Sequence, residues 1–205
     1  MKNTTSVYIA RHGITPWNQE GRIQGQGNDI PLSKEGCEQM ERLGKYLSKN
    51  INNPIVLLSP LLRSQESFTI VNKYINVKSS DIHIIPELIE MNFGKFEALL
   101  KKEIQSDIFF TKRKKDKYRT SYPEGESYED IYKRLLTSRV KSIFEDAKNG
   151  DRDILFVGHE STNRIIPLVL GLSGVNEKTA VENRQKNNEI IIYSYPFQIN
   201  KIQTF

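Results

Sequence analysis

Two of the three histidines in this chain stand just past short apolar runs. His12 follows residues 6–10 and Arg11, and His159 follows residues 154–157 and Gly158. Polar segments fall at two matching places: residues 59–63 after the apolar run 55–58, and residues 87–90 after the run 82–85. A lone histidine at a strand end commonly serves as a hydrogen-bonded structural residue. Two in matching positions, one beside an arginine, weaken that reading. Arg11 and Arg63 offer rigid donor forks that suit phosphate oxygens. Arg63 also lies near an expected helix start, where free backbone N–H groups favour an anion. A neutral imidazole can attack phosphorus, and neighbouring cations would keep His12 unprotonated. Phosphoryl transfer needs mainly positioning and charge neutralisation, which these groups can supply without a metal. A leaving alkoxide needs a proton. Glu90 is a candidate donor and Glu87, three residues earlier, its rival.

The elements that must hold these groups are legible from hydrophobic spacing. The runs 6–10, 55–58, 82–85, 154–157 and 190–192 read as strands, and the continuous Ile/Val/Leu character of most of them predicts burial on both faces. Ser33 predicts a helix to about Lys49, with Cys37, Met40, Leu43 and Leu47 on its inner face. Ser59-Pro60 predicts another, carrying Phe68, Val71 and Ile75 inward. Ser127, with Asp130 three residues on, predicts a long helix ending at Asn149-Gly150, with Ile131, Leu135, Val140, Ile143 and Ala147 at helical spacing. A further helix is expected over about 161–170. Strands alternating with amphipathic helices imply an α/β fold, a three-layer sandwich with a mostly parallel central sheet covered by helices. In such sheets reactive residues gather beyond the carboxyl ends of the strands. A single domain over 1–205 is expected, with about 90–125 as a cap-like elaboration. His83 and Trp17 read as packing residues, Cys37 as buried and inert, and Glu124 and Glu126 as a solvated turn.

Composition narrows the function classes. With 37% apolar and 27% charged residues the chain reads as globular rather than disordered. No stretch approaches the roughly 20 apolar residues of a membrane span, and the start lacks the pattern of a signal peptide. The single Cys37 excludes an intramolecular disulfide, and no Cys/His cluster has zinc-site spacing. Cytoplasmic residence is therefore expected. The formal net charge of +5 is local to residues 112–119. That run reads as a solvated face or as an attractor of an anionic substrate. Nothing elsewhere supports nucleic-acid binding.

Segments 11–18, 21–25, 31–36, 58–63, 88–94, 122–127 and 157–159, with Arg164, together resemble the histidine phosphatase superfamily, the phosphoglycerate-mutase-like proteins. The Arg-His-Gly triplet alone is weak, but the ordered set spans nearly the whole chain. The resemblance implies that His12 takes the phosphoryl group as a phosphohistidine. It also implies that Arg11, Arg63 and His159 form the phosphate pocket, with Asn18 as a further donor and Gln24 beside the substrate. Glu90 aligns with the family's proton donor. No metal or organic cofactor is implied, and the partner expected is a small phosphorylated metabolite. Glu160 stands where a small residue is usual, so it could repel a phosphate or contact another part of a substrate. Phe96 and Ala98 replace a tryptophan and a glycine. The short chain, residues 90–97 and residues 123–127 resemble the phosphatase branch. A phosphoglycerate-type mutase and a non-catalytic phospho-ligand or protein-binding module are the alternatives.

Overall fold

Val7, Tyr8, Ile9 and Ala10 are all buried, as are all residues of the 55–58 and 154–158 runs. A strand can bury successive residues only when both faces of its sheet are covered. The computed structural model describes residues 5–104, 106–194 and 196–205; residues 1–4 of the N-terminal segment and Gln105 of the 90–125 region lie outside them. The chain runs through β1 (Ser6–Arg11), α1 (Pro16–Glu20), α2 (Lys34–Asn50), β2 (Ile55–Leu58), α3 (Leu62–Ile75) and β3 (Ile82–Ile84). It continues through α4 (Lys101–Ile104), α5 (Ile108–Arg113), α6 (Tyr128–Leu136), α7 (Val140–Asn149) and β4 (Ile154–Gly158). It ends with α8 (Glu160–Val169), α9 (Glu177–Glu182), β5 (Glu189–Ser194) and β6 (Gln198–Thr204).

Among the described residues the strands form a six-stranded sheet in the order β3-β2-β4-β1-β5-β6. β3, β2, β4 and β1 pair in parallel, while β5 and β6 add an antiparallel edge. Alternate residues divide between two cores. Val7, Ile9, Leu57, Ile154 and Phe156 pack with Ile131, Leu135, Ile143, Ile165 and Val169 from α6, α7 and α8. Tyr8, Ala10, Val56, Leu58, Leu155 and Val157 pack with Met40, Leu43, Leu47, Phe68 and Val71 from α2 and α3. This is the expected three-layer α/β sandwich. Slipping β1 by one residue would turn both sets to the wrong face, so the same pattern that builds the core fixes the register. At roughly 1.5–3 kcal/mol per buried aliphatic side chain, such a slip is prohibitive.

That register positions the chemistry. Arg11 lies opposite Gly158, and the His12 backbone N–H donates to the Gly158 carbonyl at 2.9 Å. α2, the first long helix after β1, covers one face, and α8, the helix after β4, covers the other. A crevice opens where neighbouring strands send their helices to opposite faces. Gly13 allows α2 to close against the loop after β1: a Cβ there would stand 2.5 Å from the Gly36 carbonyl oxygen.

Several elements differ from expectation. The helix after Ser127 is two helices, because the Thr137 and Ser138 hydroxyls donate to the Arg134 and Leu135 carbonyls and compete with the helical ladder. α3 begins at Leu62 with Leu61 as its cap, so Ser59 does not cap a helix. β3 is a half-exposed edge strand rather than a buried one, and Ile84 is exposed. Cys37 is only partly buried, since the inner face of α2 is centred on Met40, Leu43, Gly44 and Leu47. Partial burial and the carboxylates of Glu66 and Glu41 push its thiol pKa up. α1, α4, α5, α9 and β6 are not foreseen by the hydrophobic spacing. Among the described residues no helix is long and apolar enough to cross a membrane.

Candidate active site

His12 and His159 extend β1 and β4 by one residue each, and their ring centroids lie 5.2 Å apart. His12 Nδ1 is 2.7 Å from the Gly13 carbonyl oxygen, an acceptor only, so this nitrogen carries the proton and Nε2 carries the lone pair. His159 Nε2 lies 2.6 Å from Ser59 Oγ, and its Nδ1 is buried without a partner. Both imidazoles titrate well below the ordinary value of 6.5. Burial is the main cause, followed by Arg63 and Arg11 at His12 and by Arg63, His12 and Arg11 at His159. Both rings are therefore neutral near neutral pH.

Arg11 and Arg63 line the same crevice as the His12 ring. Arg11 Nη1 donates to the Gln185 carbonyl at 3.0 Å, while its buried Nε has no partner. Arg63 is 1% exposed and donates from Nη2 to the Gly25 carbonyl at 2.8 Å; its Nε and Nη1 have no partner. Burial pushes the Arg63 pKa down to about 10. Buried guanidinium N–H groups without acceptors are costly, and they are suited to an incoming anion.

Glu90 lies at the start of α8. Its carboxylate accepts from the backbone N–H groups of Met91, Ser161 and Thr162 at 2.8–3.3 Å. Arg134 holds the segment that carries it, donating to the carbonyls of Glu87 and Ile89 and pairing with Glu126 at 3.1 Å. Glu126 also accepts from the Asn92 N–H at 2.9 Å. It is thus a fixed half-buried anchor rather than part of a solvated turn. Glu124 is solvated and pairs with Lys95.

Arg11, His12, Arg63 and Glu90 line a cavity of about 430 Å³, whereas His159, fully buried, touches the His12 ring but is not part of the cavity wall. Asn18, Gln24 and Glu160 line it too, whereas Glu87, His83 and Trp17 do not. Asn18 Oδ1 accepts from Thr15 N and Asn187 Nδ2, which leaves Asn18 Nδ2 for a ligand. Gln24 donates to Thr15 Oγ1, and its buried Oε1 has no partner. Burial pushes the Glu160 pKa up, but Arg11 and Arg164 outweigh it and hold the carboxyl below its usual range. Its charge is therefore already compensated at the cavity wall. Lysines and arginines outnumber carboxylates nine to two there, so the wall attracts anions. Three wall residues, Arg113, Lys114 and Lys117, come from the basic run.

Ser59, Arg134 and Arg113 were missed as site residues. Ser59 matched a helix-cap pattern, and Arg134 matched an exposed position on an amphipathic helix. Arg113 was one cation among six in the basic run. Its place beside Tyr122 and Tyr128 leaves no local trace in the sequence.

The neutral histidines make a stability prediction. In the unfolded chain both rings protonate below the ordinary value of 6.5, while in the folded chain they stay neutral. Their contribution is full above that value and is lost as pH falls through the window toward the lowered folded values. Each ring costs up to about 1.4 kcal/mol per pH unit there. Urea unfolding in phosphate-free buffer should show lower stability at pH 5.5 than at 7.5, and His12→Asn should remove about half of the loss. Equal stability at both pH values would show that the folded rings are protonated.

The arrangement is chemically suited to gripping and transferring a phosphoryl group. The profile of the histidine phosphatase superfamily (branch 1) matches residues 7–202, and the chain belongs to that family. It is 29% identical over 157 residues to the uncharacterized phosphatase PhoE of Bacillus subtilis strain 168, covering 76% of this chain and 72% of that protein. It is 34% identical over 138 residues to 6-phosphofructo-2-kinase/fructose-2,6-bisphosphatase 4 of Rattus norvegicus, where the match covers 63% of this chain but only 26% of the relative. A 2,3-bisphosphoglycerate-dependent phosphoglycerate mutase of Rhizobium etli is 26% identical over 184 residues, 87% of this chain and 86% of that protein. Among solved structures, mycobacterial glucosyl-3-phosphoglycerate phosphatase Rv2419c superposes with a TM-score of 0.77 at 20% identity, covering 98% of both chains. That likeness concerns the fold. The Rhizobium relative also removes chain length as grounds for separating phosphatase from mutase.

Proposed function

We propose that this chain is a metal-independent phosphatase that hydrolyses a small phosphomonoester through a phosphohistidine on Nε2 of His12. The observation that carries the reading is a neutral His12, tied at Nδ1 to the Gly13 carbonyl, beside unpartnered guanidinium donors of Arg11 and Arg63. Nε2 attacks phosphorus while Arg11 and Arg63 neutralise the oxygens. Ser59 Oγ donates to His159 Nε2, so His159 Nδ1–H is a further donor to phosphate. Asn18 Nδ2 adds another, and Gln24 and Glu160 contact the rest of the substrate. Glu90 protonates the leaving oxygen and then takes a proton from the water that attacks phosphorus. Phosphate leaves and His12 is regenerated. The arginines supply the positive charge that a metal would otherwise bring. Cytoplasmic residence belongs to the same reading, supported by the solitary Cys37.

Hydrolysis of an aryl phosphate in the presence of a chelator tests it; no turnover between pH 5 and 8 would overturn it and favour a binding module. Arg63→Met should lower turnover roughly 100- to 1000-fold. It should leave the melting temperature unchanged or higher, because it removes a buried cation whose only acceptor among the described residues is the Gly25 carbonyl. A fall in both would make Arg63 a structural residue. The mutase relative favours a second reading, in which the phosphoryl group returns to product. Phosphoglycerate interconversion that depends on 2,3-bisphosphoglycerate would establish it.

A further inference from the structure

Ala10 in β1 pairs with Ile190 in antiparallel β5, so the residues that precede β5 run past the end of β1 where Arg11 and His12 emerge. Gln185 and Asn187 lie on this stretch. The Gln185 side chain is 2% exposed; it donates to the Ile9 and Glu189 carbonyls and accepts from Asn163 Nδ2. These bonds pin the segment, and the Gln185 carbonyl in turn accepts from Arg11 Nη1. Asn187 Nδ2 lies 3.0 Å from the His12 carbonyl oxygen and 3.2 Å from Asn18 Oδ1. Neither Gln185 nor Asn187 lines the cavity.

The partners dictate how both amides are turned. The Thr15 backbone N–H can only donate, so the Asn18 atom 3.2 Å from it is the oxygen. The His12 carbonyl and Asn18 Oδ1 can only accept, so the Asn187 atom that meets both is the nitrogen. A primary amide carries two N–H bonds on that one nitrogen, one for each acceptor, where a hydroxyl has a single one. With its oxygen engaged on this side, Asn18 has Nδ2 left to offer the cavity that it lines. Without Asn187 the Thr15 N–H alone would hold the amide, and a rotated Asn18 would present its oxygen to a phosphate.

We propose that Asn187 is a positioning residue of the phosphate pocket: anchored on the carbonyl of the nucleophile's own residue, it locks the Asn18 amide with Nδ2 toward the phosphate. The proposal rests on the phosphatase reading for the role of Asn18 as a phosphate donor. Asn187 acts through Asn18 and does not touch the substrate.

Calorimetry with orthophosphate on the unsubstituted protein, Asn18→Ala, Asn187→Ala and the double variant tests it. Asn187→Ala should weaken binding roughly fivefold, and Asn18→Ala roughly tenfold. In the Asn18→Ala background the Asn187 substitution should cost less than about twofold, because the group it acts through is gone. A residue that merely supports the fold would cost the same factor in both backgrounds, and that result would overturn the proposal. Asn187 is only partly buried, and Asn187→Asp keeps its shape, so this variant should fold. As a carboxylate it has no N–H to give and should bind phosphate at least as weakly as Asn187→Ala. Unchanged affinity in Asn187→Asp would equally overturn the positioning role. Coupling between Asn18 and Asn187 without turnover of an aryl phosphate would overturn the phosphatase reading instead and leave the positioning role standing.

Discussion

His12→Ala should abolish an acid-labile phosphoenzyme and lower turnover by at least roughly 10⁴-fold. The size follows from what the residue supplies. Covalent catalysis divides one displacement into two easier ones, and without the nucleophile water must attack the ester directly. His159 cannot take over. It is buried, its Nε2 is bonded to Ser59, and its ring is offset from that of His12 by 5.2 Å. The substitution should still fold, because among the described residues the His12 side chain bonds only the carbonyl of its own neighbour, Gly13. Acid-quenched labelling from a ³²P-labelled ester is the direct measurement. Label that persists in His12→Ala and vanishes in His159→Ala would assign the nucleophile to the other strand.

The pairing of these two histidines explains why so much of the site was legible. A continuous apolar run fixes a buried strand, and a one-residue overhang at its carboxyl end fixes where the next side chain emerges. Two such runs brought His12 and His159 together through the β1–β4 register, which no local pattern states but the fold class requires. Arg11, Arg63, Glu90, Asn18, Gln24 and Glu160 line the same cavity as His12. What failed was local pattern with two physical meanings. Ser59-Pro60 has the form of a helix cap, yet its hydroxyl meets a histidine 100 residues away. Glu126 sits in a Pro-Gly turn, yet it anchors Arg134. The break at Thr137–Ser138 was invisible because apolar spacing continues through it. α1, α4, α5 and α9 span only four to six residues each, too few for periodicity to register.

Glu90→Gln should separate the two proton transfers of the cycle. Glutamine keeps the shape, and its oxygen can still accept from the Ser161 and Thr162 N–H groups, so α8 and the loop should stay in place. What it loses is the transferable proton. An alkyl phosphate expels a strongly basic alkoxide, and turnover should fall roughly 10²- to 10⁴-fold. A nitrophenyl phosphate expels a stable anion that needs no proton, so phosphorylation of His12 should proceed at nearly its original rate. Hydrolysis of the phosphohistidine then lacks its base. With the aryl substrate the variant should therefore give a burst of one nitrophenolate per chain and accumulate phosphoenzyme, which the unsubstituted protein does not. Glu87→Gln should do neither, because Glu87 lies outside the cavity. Equal losses on both substrates with no burst would reduce Glu90 to a positioning residue at the N-terminus of α8. A burst from Glu87→Gln would move the acid three residues upstream.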